Sequence, residues 1–222
     1  MAQRFIVFIF LIMLGMSCNK MSPGGGENKP VGKLPILGNR HVENIEISGG
    51  IKADTVYHTV PDFSFINQDG DTITHDKFKG RVYVADFFFT TCPTICPTMK
   101  AQMLRIYEKF MDNDQLLILS HSIDPVHDNV AVLRDFAEKL GVESSKWHFV
   151  TGEKDKIYEQ GMKGYMVTAG EDRTAPGGYI HSGAFILVDK ERRIRGIYDG
   201  TKSLQVDELM QDILILLAEY ED

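Results

Sequence analysis

Hydrophobic residues along the chain fall into two kinds of segment. Continuous β-branched and aromatic runs at 81–89 (RVYVADFFF) and 115–124 (QLLILSHSID) are typical of buried central strands. After each run, apolar positions recur at helical spacing, over 97–111 and 129–141, and the second helix is predicted to end at Gly141. Strands separated by helices predict right-handed crossovers and a mainly parallel sheet.

Two hairpins complete the predicted sheet. One joins DFSFIN to DTIT through an Asp69-Gly70 turn, and the other joins SGAFILVD to RIRGIYDG near the end of the chain. An amphipathic helix over 204–220 follows the second hairpin. A terminal antiparallel hairpin and helix on such a sheet predict an α/β protein with a thioredoxin-like fold. We expect a central mixed sheet flanked by helices, with an N-terminal hairpin extension.

The first residues of the chain predict a secretory leader. Arg4 is followed by an apolar run, Phe5–Met16, which is too short for a comfortable transmembrane span. Cys18 comes directly after small residues, as in a bacterial lipoprotein that is cleaved before the cysteine and lipidated on it. We therefore predict a signal peptide over residues 1–17 and a lipid anchor on Cys18.

Composition then suggests how the rest of the chain is organised. Residues 19–31 are rich in Gly, Pro, Ser, Asn and Lys and cannot bury enough apolar area to order themselves. We predict a tether and partly ordered lead-in over 18–55, with short extended pieces against the domain, and a thioredoxin-like domain over 56–222. The formal net charge of −7 argues against nucleic-acid binding, because little in the chain would neutralise phosphates.

Candidate chemistry is concentrated in the segment FFFTTCPTICPTM at 87–99. Once Cys18 carries lipid, Cys92 and Cys96 are the remaining thiols, in an oxidising compartment where thiols seldom stay unpaired. The pair could form a structural disulfide, a dithiol redox switch or part of a site for a soft metal ion. A disulfide closing so short a loop adds little stability.

The position of the cysteines favours reactive sulfur. They lie between a buried strand and a helix, where a helix N-terminus favours thiolate over thiol, so both are expected to be accessible and unusually acidic. Their C-x-x-x-C spacing permits a disulfide and also lets both sulfurs approach one ion. Thiolates select Cu(I) or Zn over harder cations, and a stable site needs a further ligand.

Histidine is the natural third ligand. His181 stands in the Gly-rich segment APGGYIHSG just before the terminal hairpin, but spacing alone does not place it beside the cysteines, and a loop histidine with no role stays open. His121 and His148 lie in strands and are expected to be core or edge histidines with satisfied hydrogen bonds. His127 follows the end of a strand, near the face of the cysteines.

Three segments together resemble the Sco/SenC family of copper-handling thioredoxin-like proteins. They are FFFTTCPTICPTM, SIDPVHDN and HSGAFILVDKERRIRGIYDGT, and the resemblance covers roughly 56–222. It implies that Cys92, Cys96 and His181 bind copper, as Cu(I) or Cu(II), and that Cys92 and Cys96 form a disulfide when oxidised. It also implies a role in maturation of the dinuclear copper site of cytochrome oxidase.

One position departs from the family pattern. Many relatives have an acidic residue directly before the ligand histidine, and this chain has Ile180. Asp124 or Asp128 is therefore expected to orient the imidazole instead. Asp86, a carboxylate within a central strand, either tunes the thiols or faces an exposed sheet edge.

The resulting hypothesis is a membrane-tethered copper chaperone rather than an enzyme. It would be a monomeric inner-membrane lipoprotein with its domain in the periplasm, and its partner would be the copper-site subunit of cytochrome oxidase. The alternative is a thiol–disulfide oxidoreductase or thiol peroxidase, in which Cys92 attacks and Cys96 resolves. A purely structural lipoprotein would tolerate loss of both cysteines. Core packing rather than metal binding is expected of four methionines: Met99, Met103, Met162 and Met166.

Overall fold

The computed structural model describes residues 32–48, 50–172 and 174–221. Eleven strands and four α-helices are found within these residues. The strands are β1 (Arg40–Ile47), β2 (Gly50–Tyr57), β3 (Ser64–Asn67), β4 (Thr72–Thr74), β5 (Val82–Phe88), β6 (Leu116–Ser122), β7 (Trp147–Thr151), β8 (Ala169–Glu171), β9 (Tyr179–His181), β10 (Ala184–Val188) and β11 (Ile194–Asp199). The helices are α1 (Cys96–Phe110), α2 (Val130–Leu140), α3 (Lys154–Glu159) and α4 (Ser203–Ala218).

Seven strands form the main sheet, in the order β11-β10-β5-β6-β7-β3-β4. Only β5, β6 and β7 pair in parallel, at the centre. Both predicted hairpins are present and add antiparallel strands on either side. The thioredoxin-like fold and its mixed sheet are confirmed, but the expectation of a mainly parallel sheet is wrong, because the hairpins supply four of the seven strands.

Local sequence explains where the helices begin and end. Pro97 lies in the first turn of α1, where its missing N–H costs nothing. The Asn129 side chain caps α2 by accepting hydrogen bonds from two backbone N–H groups, and Gly141 ends the helix in the left-handed conformation, with φ of 70°. The start of α1 directly after the loop that follows β5 brings Cys92 and Cys96 to the end of the central strand.

The four methionines divide into two pairs. Met99 and Met103 on α1 are fully buried in the core, as predicted. Met162 and Met166 are 57% and 37% exposed, so the prediction that they pack in the core is wrong. The chain leaves regular helical geometry there: residues 160–164 form a π-helical turn, and Met166 has a positive φ of 57°.

The segment before the domain core agrees with prediction in part. Short extended pieces lie against the domain as predicted, since Leu37 bridges to Ile194 and Val60 is fully buried. Between them, residues 40–57 form a hairpin, β1–β2, that is almost wholly exposed. The predicted boundary at 55/56 falls inside β2. The predicted signal peptide, Cys18 and the tether up to residue 31 lie outside the described residues. Among the described helices, none has both the length and the apolar character needed to cross a bilayer.

Candidate metal centre

Cys92 lies on a short loop between β5 and α1, the cysteine loop (residues 89–95), and Cys96 follows it directly. Because β5 and β6 are parallel, this loop is at the carboxyl edge of the sheet, where α/β proteins commonly bind ligands. The Cys92 N–H donates to the Phe89 carbonyl at 3.3 Å, which turns the chain back toward the domain. Cys96 is the first residue of α1.

His181 lies on a small separate sheet. It ends β9, which pairs with β8 and places His181 opposite Ala169. Gly177, in the turn between the two strands, has a φ of +83°, and a Cβ there would lie 2.9 Å from the Phe89 ring and 3.2 Å from Pro93. Only glycine therefore lets the β8–β9 hairpin pack this closely on the cysteine loop.

This packing brings the three predicted ligands together. The Sγ of Cys96 lies 3.3 Å from Nε2 of His181. With Cys92, the potential ligand atoms all lie within 4.8 Å of one another. Nδ1 of His181 is 3.2 Å from the Ser182 carbonyl and donates to it, so Nε2 carries the lone pair that faces the sulfurs.

The two thiols differ in acidity. Burial raises the pKa of Cys96 to about 12. Burial also raises the pKa of Cys92, but hydrogen bonds from Cys96 and Thr94 outweigh it, and the pKa of Cys92 lies below its usual value. The expectation that both thiols are accessible is wrong, since Cys92 and Cys96 are 8% and 5% exposed. The expectation that both are acidic holds for Cys92 and is wrong for Cys96.

The imidazole is neutral at physiological pH. Burial lowers the pKa of His181, so its Nε2 is available as an acceptor or a metal ligand. The Phe89 ring meets it edge-on, with centroids 5.9 Å apart, and shields the site. The arrangement therefore provides one acidic thiol, one neutral thiol and one free imidazole nitrogen within bonding reach of a single small ion.

A buried ion pair lies beneath the site. Nζ of Lys100, one helical turn after Cys96, is 3.0 Å from Oδ2 of Asp86, and the two side chains are 6% and 0% exposed. Lys100 also lies over the Phe88 ring, 3.9 Å from its centroid. The other oxygen of Asp86 accepts a hydrogen bond from Ser120. Asp86 thus faces the core rather than an exposed edge, and its charge partly offsets the lowered pKa of His181.

Sequence reasoning singled out Asp86 but missed its partner Lys100. The available signal was spacing, because a lysine four residues after Cys96 shares its helix face. A buried ion pair costs free energy unless other contacts compensate, so its presence under two thiols indicates a role in the site.

Asp124 and Asp128 do not reach the metal-site histidine. Asp128 accepts hydrogen bonds from the Thr90 N–H at 3.0 Å, the Ser122 hydroxyl at 2.6 Å and Nδ1 of His127 at 2.8 Å. It therefore anchors the cysteine loop from below. The expected orienting acid at His181 is replaced by the Ser182 carbonyl.

His121 and His148 are core residues, but their hydrogen bonds are not satisfied as expected. Neither ring nitrogen of either residue has a partner among the described residues. His121 stacks on Phe87 at 4.8 Å between ring centroids. Burial lowers the pKa of each to about 4, so both are neutral aromatic fillers and not ligands.

A thioredoxin-like fold with two cysteines and a histidine around one point defines a thiol-based metal-binding protein. A family model described as SCO1/SenC matches residues 52–218, well over half of the chain. The chain belongs to the SCO1/SenC family.

Three relatives illustrate the match. The SCO1 protein homolog of Bacillus subtilis is 32% identical over 166 residues, which are 72% of this chain and 83% of the relative. A SCO1/SenC family lipoprotein from Bacillus anthracis superposes with a TM-score of 0.66 at 28% identity, covering 72% of this chain and 95% of that one. BsSco is described as a member of the Sco family of cytochrome c oxidase assembly proteins with a disulfide switch. It superposes with a TM-score of 0.64 at 31% identity, covering 72% of this chain and 93% of BsSco.

Proposed function

We propose that this protein is a copper chaperone that carries the ion on Cys92, Cys96 and His181 and serves assembly of the dinuclear copper site of cytochrome oxidase. One observation carries the proposal: Sγ of Cys96 lies 3.3 Å from Nε2 of His181, and Cys92 completes a group whose ligand atoms lie within 4.8 Å. BsSco, a relative at 31% identity, is described as a member of a family of cytochrome c oxidase assembly proteins, which supports the partner.

The donor set suits copper as cargo. Two sulfurs and one imidazole nitrogen are soft to intermediate ligands, and a trigonal arrangement of them suits Cu(I). Cu(II) would need a further oxygen ligand from water or the client. Binding replaces the thiol protons of Cys92 and Cys96 with the ion, while the already neutral His181 binds without losing a proton.

The elements that carry the three ligands suggest how copper is released. The cysteines are held by the core, whereas His181 ends a hairpin of two three-residue strands outside the main sheet. Displacement of this hairpin would remove one ligand of three and weaken the site. A client that offers its own thiolates or imidazoles would then complete the transfer.

The predicted leader supports a membrane location for the chaperone. Cleavage before Cys18 and lipidation of its thiol would tether the domain to the outer face of the inner membrane, where the copper-site subunit of the oxidase is accessible. The relative from Bacillus anthracis is itself named a lipoprotein, which supports this arrangement.

A second candidate function rests on the asymmetry of the thiols. Cys92, with its lowered pKa, is suited to attack a disulfide. Burial keeps Cys96 protonated during that attack, and Cys96 would then have to lose its proton before its sulfur attacks Cys92 and resolves the mixed disulfide. The disulfide switch in BsSco supports this alternative. The two functions differ in what they require, because thiol exchange does not need His181.

Competition for Cu(I) separates the candidates. The reduced protein is titrated with Cu(I) against a chromophoric chelator, and Cys92→Ser, Cys96→Ser and His181→Ala are compared with wild type. We expect one copper per chain, lost in either cysteine variant and bound about 10- to 100-fold more weakly without the imidazole. His41→Ala, at an exposed histidine on β1, is the control. Unchanged affinity in His181→Ala, with turnover of disulfides, would favour the oxidoreductase.

A further inference from the structure

The β1–β2 hairpin is a two-stranded ribbon with two free edges. All eight residues of β1 are exposed, as are the first six of β2. Within residues 32–48, 50–172 and 174–221, neither strand pairs with any strand but the other. A lone two-stranded ribbon is at best marginally stable in water, and its edges present unpaired N–H and C=O groups to any strand that fits.

The two edges differ in charge. Lys52 and Asp54 are the charged residues of β2, and they flank Ala53 symmetrically. On β1, pairing two copies about Glu43 would place the two Glu43 carboxylates opposite each other, although Arg40 of each copy would face Glu46 of the other. Pairing two copies of β2 about Ala53 opposes no like charges, so the β2 edge is the more self-complementary of the two.

We propose that β2 pairs antiparallel with β2 of a second copy of this chain, about a two-fold axis through Ala53. In this register Lys52 of each copy faces Asp54 of the other, and the ion pair occurs twice. Ile51 faces Thr55, also twice. The interface is isologous, as in most homodimers, and the two ribbons become one four-stranded antiparallel sheet.

Local geometry permits this pairing. The Thr55 N–H donates to the Asp54 carboxylate at 2.9 Å, which indicates that it faces the outer edge rather than β1. Dimerisation would replace that bond with an interchain one and free Asp54 for Lys52. Ala53 is near the middle of β2, so the strands overlap almost fully and the two domains lie at opposite ends of the sheet.

The contact is small. Pairing along one edge buries less area than a standard stable interface, so the dimer is expected to be weak and to form at high local concentration. The sequence alone favours a monomer and carries no oligomer signal; the exposed ribbon is what points to self-association. This proposal does not depend on copper, because Ala53 and its neighbours are far along the chain from the three ligands.

Charge exchange is the direct test. Sedimentation velocity of the full chain in non-ionic detergent is compared for wild type, Lys52→Asp and Asp54→Lys, each of which turns both cross-copy attractions into repulsions. We expect self-association to weaken about 5- to 30-fold in either single variant. The double variant Lys52→Asp/Asp54→Lys restores opposite charges and should recover self-association. Glu46→Lys on β1, opposite Ile51, should not weaken self-association. A monomeric wild type at about 100 µM, or no recovery in the double variant, would overturn the proposal.

Cross-linking tests the register. Two antiparallel residues on the axis have Cα atoms about 4.5–5.5 Å apart, within the range of a disulfide. Under mild oxidation Ala53→Cys should link two copies through the substituted position, identified by peptide mass spectrometry. Asn44→Cys is the matched control, because Asn44 lies directly opposite Ala53 and is also exposed, but on the β1 edge. Equal linking by both variants, or none by Ala53→Cys, would show that the edge is free or serves another protein's strand. Copper binding in all these variants should equal wild type.

Discussion

The two sides of the metal centre are built differently. The sulfur side consists of β5, the cysteine loop and α1, and it stands on a fully buried central strand with the Lys100–Asp86 pair beneath it. The histidine side is the β8–β9 hairpin, whose two strands have three residues each and form a separate sheet. The sulfur side is part of the core, whereas the histidine side packs against it from a separate sheet.

This difference suggests how a carrier can be both stable and able to release its cargo. The ligands that must be present together are fixed to the core, so they stay close after the ion leaves. The ligand that must move is on a small hairpin outside the main sheet, and weakly packed elements open first. The following predictions test each side in turn, beginning with the core.

Removing the buried cation should give the largest effect. Lys100→Met leaves the Asp86 carboxylate buried with Ser120 and without its counter-charge, which costs about 3–5 kcal/mol in the free energy of unfolding. Urea denaturation measures it. The matched control is Lys139→Met, at an exposed helical ion pair with Asp135, which should change stability little.

The double variant Lys100→Met/Asp86→Asn removes both charges and should recover much of the loss. If the single variant is as stable as wild type, the ion pair does not support the sulfur side. Copper affinity of the double variant then shows whether the pair also acts on the ligands, because loss of Lys100 removes a cation near the Cys96 sulfur.

Acid should destabilise the core beside the sulfur side through the buried His121 on β6. In the unfolded chain His121 takes up a proton near pH 6.5, but in the fold only near pH 4, because burial disfavours its charged form. Between these values the unfolded state binds more protons, so stability falls as pH falls, by about 3 kcal/mol from this residue.

Replacement by an uncharged ring isolates this contribution. His121→Phe preserves the stack on Phe87 and should flatten the decline of unfolding free energy between pH 6.5 and 4. His41→Phe, at an exposed position on β1, should leave the slope as in wild type. An unchanged slope in His121→Phe would mean that other groups cause the decline.

The contact between the two sides depends on Gly177. Gly177→Ala combines an unfavourable φ of +83° with a Cβ 2.9 Å from Phe89, so it should push the hairpin off the cysteine loop and weaken Cu(I) binding about tenfold. Gly178 has nearly the same φ, +82°, but nothing within 4 Å of the added Cβ. Gly178→Ala therefore carries the strain without the clash, and equal copper affinities in the two variants would contradict the packing role.

Sequence patterns predicted the sulfur side far better than the histidine side. β5 and α1 are long, strongly periodic and buried, so the position of Cys92 and Cys96 at a strand-to-helix junction could be read directly. β8 is only Ala-Gly-Glu, which is too short to show a periodic pattern. The pairing of Ala169 with His181 could therefore not be predicted from the sequence pattern. The resemblance to a known family supplied that ligand.

Other features that the sequence did not predict also depend on burial and on contacts between distant segments. The strands of the β1–β2 hairpin bury neither face, so they lack the strict alternation that reveals a half-buried strand. The acidity of Cys96 was misjudged because its position at a helix start says nothing about burial, which dominates its pKa. Contacts between distant segments and their burial are properties of the folded chain.

The smallest expected effect concerns the acidic thiol itself. Thr94 lies two residues after Cys92, with its hydroxyl oxygen 3.6 Å from the sulfur, and its hydrogen bonds help to hold the pKa of Cys92 low. Thr94→Val keeps the shape but removes the hydroxyl donor, so the pKa of Cys92 should rise and its alkylation by iodoacetamide at pH 7 should slow by a factor of a few. Thr98→Val, on the exposed face of α1, is the control. If alkylation of Cys92 is as fast in Thr94→Val as in wild type, the acidity comes from the other donors, the Cys96 thiol and the loop backbone, and the asymmetry of the two sulfurs is set by the fold of the loop alone.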